Sequence, residues 1–284
     1  MALFQWGPNR YEPDPEIIQS HFTFHQRRLA LFVGLIALLL PVALYSSGSW
    51  GVCGYRSISH YYYSRLMGGV FVGSLSVLGA FLLAYRGETI QENRLASLAG
   101  VAALILAFFP TSDPYCEDEV FIGRPFAQIS PSELEGFTLS LPPNAPASFF
   151  DMFVWSEEVH YFSAAFLFGF LAWYSIFVFT RPSKASEDTS GVATWQKKSR
   201  NVLYYASGAI ILSSLLAIAM NSVFGGKAGL PGWHENRVTF WLETSALWAF
   251  GLSWMVKGRF FFGVLADPAE RRRFRRSQPG YGRN

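Results

Sequence analysis

Glu243 is the side chain in this sequence that points most directly to chemistry. It stands within the apolar run 238–256, about seven residues after Asn236, which corresponds to a depth of about 10 Å along a helix. An ionised carboxylate inside a membrane-spanning helix costs about 2.5–3.5 kcal/mol, so Glu243 is expected to face protein rather than lipid. It would then act as a proton carrier or ligand-binding acid, or accept a structural hydrogen bond from an arginine such as Arg65 or from a tyrosine.

A second candidate group is the pair Glu157 and His160, whose i, i+3 spacing is used by di-iron bundle proteins to hold a metal. Those proteins need two such pairs and two further glutamates, and this chain has one pair. The serine and two acids that begin "SEEVH" are also favoured at any helix start, through capping and the helix dipole. We therefore expect no bound cofactor, and Glu157 and His160 are the candidate ligands if a metal does bind.

The common catalytic motifs are absent from the sequence. It has no Gly-rich phosphate loop, no paired zinc cysteines, no HExxH, no serine-nucleophile elbow and no heme CxxCH. This argues against an ATPase, a zinc protease or a serine hydrolase of the usual kinds.

The candidate residues are embedded in a strongly apolar chain. Of its 284 residues, 51% are hydrophobic and only 15% are charged, which is typical of proteins with several membrane spans. Six runs are long enough to cross about 30 Å of hydrocarbon. They are residues 29–47, 66–85, 95–111, 157–180, 202–223 and 238–256. We predict an all-α integral membrane bundle of about six transmembrane helices.

Basic residues indicate the orientation of the spans, because Lys and Arg are retained on the cytoplasmic side. They are frequent in the loops after the second and fourth spans and in the tail "ERRRFRRSQPGYGRN", and sparse on the opposite side. The sequence therefore predicts a cytoplasmic N-terminal segment 1–28 and a basic cytoplasmic tail 257–284. We expect the protein in the bacterial inner (plasma) membrane.

The residues with functional side chains collect on the predicted outer side. Together they would line a polar vestibule that opens outward. Its candidate members are His60, Arg65, Glu157, His160, His234, Glu235 and Glu243. The run Tyr61, Tyr62 and Tyr63 is expected in the lipid headgroup layer, with its hydroxyl groups in water.

Two further features lie on the same side. Cys53 and Cys116 are the two cysteines of the chain and are both predicted outside, which favours a disulfide in an oxidising compartment. The loop 112–156 is long, acidic and rich in proline, and a loop of this kind is usually functional or a contact surface. It would serve as a lid, as a cap held down by Cys116, or as a contact with other membrane subunits.

Small residues mark one face of the second span. Gly69, Gly73, Ser76, Ala80 and Ala84 recur every three or four residues, and the two glycines form a small-xxx-small pair. We expect this stripe to be the face on which the second span packs against another helix.

Several segments together are similar to one family. "SISHYYYS" leads into the "VFVG" helix, "FLLAYRG" forms the next turn, "LAG" precedes "FFPT", and "FWLETSALWAFGLSWMVKG" ends the membrane region. They resemble a family of uncharacterised bacterial polytopic membrane proteins, which implies about six helices and no transferable activity. Where that family is expected to read YYHT followed by RDVFVG, this chain has Tyr62, Tyr63 and Ser64, and then Gly68 and Gly69 before "VFVG", so the histidine and the arginine-aspartate pair are missing. A more distant likeness to DRAM-type membrane proteins hints at lipid-linked roles.

Three classes of function are compatible with these features. The vestibule could bind or process lipid headgroups or a small molecule. Alternatively, the chain is an accessory subunit of a larger membrane complex. A proton-coupled transporter comes third, because few polar residues continue toward the cytoplasmic half. The expected partners are membrane lipids and other membrane subunits through loop 112–156, with no nucleic acid.

Overall fold

The computed structural model of the chain describes residues 15–64, 66–87, 89–109, 111, 155–181, 194–226 and 229–258. These residues form six α-helices and no β-strand. The predicted all-α fold is therefore confirmed for this part of the chain.

The six helices alternate with short connections or with chain outside the described ranges. They are α1 Pro15–Ser46, α2 Met67–Ala84, α3 Ile90–Phe108, α4 Ser156–Trp173, α5 Trp195–Met220 and α6 Val238–Lys257. α4 continues as a π-helical turn, Tyr174–Val178, and α5 as another, Asn221–Gly225. Two short 3-10 helices, Ser47–Trp50 and Ser59–Tyr63, lie between α1 and α2.

Four helices in the described ranges are long and apolar enough to cross a membrane, namely Leu29–Trp50, Met67–Ala84, Ser156–Val178 and Trp195–Gly225. The other two are less apolar, because α3 begins with the polar run "QENR" and α6 carries Glu243 among serines and threonines. The membrane character of the chain therefore rests on four helices. The number of six spans and the side of the termini stay predictions.

The helices form a ring in chain order, since each packs against the next and α6 closes against α1. Glycines let two of these pairs approach closely. A Cβ atom on Gly79 of α2 would lie 2.9 Å from the carbonyl oxygen of Gly100 in α3. A Cβ atom on Gly34 of α1 would lie 2.9 Å from the carbonyl oxygen of Gly251 in α6. Backbone contact of this kind leaves no room for a side chain, and it is common where membrane helices meet.

The α1–α6 contact also accommodates the proline inside α1. Pro41 has no N–H, so carbonyl groups one turn before it lose part of their hydrogen bonding. The indole Nε1 of Trp248 in α6 donates to the Leu38 carbonyl oxygen at 3.1 Å. A neighbouring helix thus supplies a donor where the proline weakens the helix.

The packing face of α2 differs from the predicted one. Gly69, Gly73, Ala80 and Ala84 are exposed, and Cβ atoms built on the two glycines would meet nothing within 4 Å. The buried face carries larger side chains, among them Phe71, Leu75, Leu78 and Leu82. The prediction that the small-residue stripe is the packing face was wrong, because the large apolar side chains fill the ring and leave the small ones outside.

Aromatic rings fill the centre of the bundle at the end where α2, α4 and α6 finish. Trp254 of α6 lies at their middle and is buried. Its ring centroid is 5.0–6.0 Å from those of Phe81, Tyr85, Tyr174, Phe179 and Phe250. This end of the bundle is a packed core.

Charged side chains tie the helices together around that core, at what we call the basic end. Glu92 is buried in the first turn of α3, bonded to the Thr89 hydroxyl and paired with Arg181. Lys197 of α5 is also buried, and its Nζ donates to the Phe179 carbonyl at 3.1 Å. Carbonyls at a helix end lack intrahelical partners, so Lys197 supplies a donor where α4 finishes.

Candidate functional site

The opposite end of the ring, where α2, α4 and α6 begin, is here called the polar end. A stretch of chain between α1 and α2, residues 55–64, crosses it and is here called the crossing segment. The crossing segment is buried at Tyr55, Ser57 and Ile58. The backbone N–H of Phe240 in α6 donates to the Arg56 carbonyl at 3.0 Å. The segment is therefore held inside the bundle end rather than lying over it.

Glu243 binds the crossing segment through its backbone. Its Oε2 accepts the N–H of Ile58 at 2.6 Å, and its side chain is partly buried. The sequence left open whether Glu243 carries a proton, binds a ligand or makes a structural hydrogen bond, and the contact seen here is a structural hydrogen bond. Its donor is a backbone amide rather than an arginine or a tyrosine.

His160 binds the same segment from α4. Its Nδ1 is 2.7 Å from the Phe109 carbonyl oxygen, and its Nε2 is 3.0 Å from the Ser59 Oγ. A carbonyl only accepts, so Nδ1 carries a proton, and in the neutral ring Nε2 accepts from the Ser59 hydroxyl. The ring is buried, and both nitrogens are used to join α3, α4 and the crossing segment.

Glu157 and His160 each hydrogen-bond a different partner. Glu157 is partly exposed, and its Oε1 accepts from the Tyr161 hydroxyl at 2.8 Å. His160 would have to give up a hydrogen bond before it could bind a metal. Among the described residues, no group of three or more His, Cys, Asp or Glu side chains is arranged to hold a metal ion.

Arg237 is a site residue that the sequence did not single out. Its Nε donates to the Tyr55 carbonyl at 2.8 Å and its Nη2 to the Tyr61 hydroxyl at 3.1 Å. Its guanidinium lies 4.5 Å from the Phe240 ring centroid, and its backbone has φ 52°. A positive φ is uncommon for a residue other than glycine, and it directs this side chain at the crossing segment. The sequence signal that could have indicated Arg237 was its position just before the apolar helix α6.

The three tyrosines lie in the interior. Tyr61, Tyr62 and Tyr63 are at most 1% exposed, so the expectation that they sit in the headgroup layer with hydroxyls in water was wrong. The Tyr63 hydroxyl donates to the Thr111 carbonyl at 2.5 Å, and Tyr61 accepts from Arg237. The hydroxyl groups of Tyr61 and Tyr63 thus find hydrogen-bond partners within the protein, which allows these two side chains to be buried whole.

His60 and His234 each bring one buried ring nitrogen to the polar end. Nδ1 of His60 and Nε2 of His234 are buried and have no hydrogen-bond partner among the described residues. Burial, followed by the neighbouring basic groups His160, Arg56 and His234, lowers the pKa of His60 to about 4. We call Arg56, His60, His160 and His234 the basic cluster.

A glycine turn positions the His234 ring. The His234 ring lies against Gly229, where a Cβ atom would be 2.8 Å from Nε2. Gly229 has φ +70°, a conformation that side chains disfavour, so glycine is suited to this turn on two grounds. The connection between α5 and α6 thus places His234 beside His60.

The remaining predicted site residues lie elsewhere. Glu235 is exposed and lies outside the contacts described above. Arg65, Cys116 and residues 112–154 of the long loop lie outside the described residues. Cys53 is partly buried, and its disulfide with Cys116 stays a prediction.

The structure therefore assigns two different roles at the polar end. Glu243, His160 and Arg237 hold the crossing segment by hydrogen bonds to it. His60 and His234 offer buried ring nitrogens with capacity to donate or accept.

Comparison with protein-family models, with curated proteins and with solved structures finds no match to this chain. The family resemblance of the sequence is untested by these comparisons. A function has to be argued from the polar end itself.

Proposed function

We propose that this protein is a six-span integral membrane protein that binds the polar group of a lipid or small molecule at its polar end. The observation that carries the proposal is the pair of buried nitrogens, His60 Nδ1 and His234 Nε2, without a partner among the described residues. A buried polar atom left without a hydrogen bond costs about 1–3 kcal/mol. A ligand group that binds these atoms would recover that free energy.

The helix lengths support six spans. α3 has 19 residues and α6 has 20, which corresponds to about 30 Å at 1.5 Å per residue. Both belong to the ring, and the acids they carry are bonded inside it, Glu92 to Arg181 and Glu243 to Ile58. Internal bonding of this kind is what an acid within a membrane helix requires.

The orientation follows from the basic end. Arg181 follows the end of α4, Lys197, Lys198 and Arg200 lie near the start of α5, and Lys257 ends α6. By the positive-inside rule this end faces the cytoplasm, so the polar end faces out of a bacterial inner membrane.

Native mass spectrometry of the protein purified in a mild detergent tests the proposal. The wild type should retain a lipid or small molecule, and the double variant His60→Phe, His234→Phe should lose it, because phenylalanine fills the space without a ring nitrogen. Glu157→Gln is the matched control, since Glu157 lies at the same end but bonds Tyr161. A wild type that carries no retained molecule, or a double variant that retains it fully, would overturn the proposal.

An accessory subunit of a larger membrane complex is the second candidate function. It is favoured by the outward stripe on α2, where Gly69, Gly73, Ala80 and Ala84 are exposed. Small residues allow close approach of another membrane helix. The same spectra distinguish the two functions, because a subunit would retain other protein chains instead of a small ligand.

A proton-coupled transporter gains no comparable support. The aromatic core around Trp254 fills the bundle at the basic end, where a transport path would have to continue.

A further inference from the structure

We propose that the polar group bound at the polar end is a phosphate, held by the basic cluster with His60 and His234 as hydrogen-bond donors. This inference rests on the proposed function and names the chemistry of its ligand. A phosphate can belong to a lipid headgroup or to a soluble ion, and both present the same oxygens to the cluster.

The first reason is the sign of the charges around His60. The titratable groups that act on His60 are His160, Arg56 and His234, and all of them are basic. The carboxyl groups of Glu243 and Glu157 at this end accept hydrogen bonds from the Ile58 amide and the Tyr161 hydroxyl. Because an arginine side chain is always charged, Arg56 attracts an anion beside His60 and repels a cation.

The second reason is the hydrogen-bonding capacity of the two rings. A neutral imidazole can carry its proton on either nitrogen, and a protonated one carries protons on both. His60 Nδ1 and His234 Nε2 can therefore both donate to a ligand whose atoms only accept. Phosphate oxygens are acceptors of this kind, and a nearby arginine adds charge that matches them.

The third reason is that the cluster is already arranged. The crossing segment that carries Arg56 and His60 is held by Phe240, Glu243 and His160. His234 is fixed by the glycine turn at Gly229. A phosphate would thus bind donors whose backbones are anchored, which reduces the loss of entropy on binding.

The experiment uses the full-length protein in dodecyl maltoside, an uncharged detergent, and records the thermal unfolding midpoint. One arm adds sodium phosphate against sodium chloride of equal ionic strength. The other adds dioleoyl phosphatidylglycerol against dioleoylglycerol, which lacks the phosphate. The proteins compared are the wild type, His60→Phe with His234→Phe, His234→Phe alone, and Lys198→Gln as a control for general charge at the basic end.

A phosphate-dependent rise of the midpoint is expected in the wild type and in Lys198→Gln. The apparent affinity should fall about tenfold or more in the double variant and by less in His234→Phe, which serves alone if the double variant does not fold. A response to sodium phosphate identifies a soluble ion, and a response to phosphatidylglycerol alone identifies a headgroup.

Two results would overturn the inference, and they separate it from the proposed function. If neither phosphate probe shifts the wild type but native spectra show another molecule lost in the double variant, the phosphate is wrong and the ligand site stands. If neither probe acts and no molecule is retained, both proposals are wrong.

Discussion

An acid within an apolar helix needs a hydrogen-bond donor, and the donor to Glu243 is a main-chain amide. Glu243 accepts the Ile58 N–H at 2.6 Å and so fastens α6 to the crossing segment. His160 fastens α4 to the next residue of the segment, Ser59. Two adjacent contacts of this kind make the position of the segment depend on single side chains.

Replacing Glu243 with leucine should cost about 1–3 kcal/mol of unfolding free energy, because the buried Ile58 N–H loses its acceptor. Glu243→Gln keeps an acceptor oxygen and should lose less than half of that. Chemical denaturation in detergent micelles measures both values. Ser245→Ala, on the exposed face of the same helix, is the control and should change little. If both variants lost the same unfolding free energy, the Ile58 N–H would not depend on an acceptor oxygen at position 243.

The pH dependence of stability should carry the signature of His60. Its pKa is about 4 in the folded protein and 6.5 in the unfolded chain, so the unfolded state takes up a proton first as pH falls. His60 therefore lowers stability between about pH 6.5 and pH 4 and has no further effect below that range. Denaturation midpoints are taken at pH 7.5, 5.5 and 4, and the midpoint of the wild type should fall relative to that of His60→Phe as the pH falls. Parallel curves would contradict a buried neutral His60.

At the scale of the elements, the ring is built on close glycine contacts. Gly79→Ala and Gly100→Ala each place a Cβ within 2.9 Å of a backbone carbonyl oxygen across the α2–α3 contact. We expect each to destabilise the protein by about 1–3 kcal/mol, as overpacked cores do. Gly73→Ala, on the same α2 helix, meets nothing within 4 Å and should be neutral or slightly stabilising. Unfolding midpoints in detergent distinguish these outcomes, and a sensitive Gly73 would indicate that the exposed stripe has a partner.

The sequence predicts the helical elements better than the faces they use. Long apolar runs imply helices by length and composition, so an all-α bundle was accessible from the chain alone. The burial of Tyr61, Tyr62 and Tyr63 was not, because it depends on the Thr111 carbonyl and on Arg237, which are distant in sequence. The prediction of the packing face of α2 was wrong for a related reason, because a stripe of small residues is compatible with both a helix contact and an outer surface.

The candidate site was predictable in composition and not in arrangement. From the residue types and the predicted spans we expected His60, His160 and Glu243 at one end of the bundle, and all three lie at the polar end. The partners of His160 and Glu243 are two backbone groups and Ser59, which no spacing rule specifies. Arg237 was missed because its role depends on a left-handed backbone conformation.

At the scale of the whole molecule, orientation in the membrane can be tested with introduced cysteines. Ser49→Cys at the polar end should react with a membrane-impermeant maleimide on intact cells, and Lys198→Cys at the basic end only after lysis. Both positions are exposed. The parent chain, with Cys53 and Cys116 joined, is the expected unlabelled background. Labelling of Lys198→Cys on intact cells would reverse the predicted orientation.

The closure of the ring by α1 and α6 has a consequence for biosynthesis. Gly34 and Leu38 of α1 contact Gly251 and Trp248 of α6, so the earliest described helix needs the latest one as its neighbour. As the ribosome delivers the helices in order, α1 enters the bilayer well before its partner is translated. Its glycine-bearing face must meanwhile contact lipid or the insertion machinery. A chain truncated ahead of Val238 would keep that face uncovered, and we expect quality-control proteases of the membrane to degrade such a fragment.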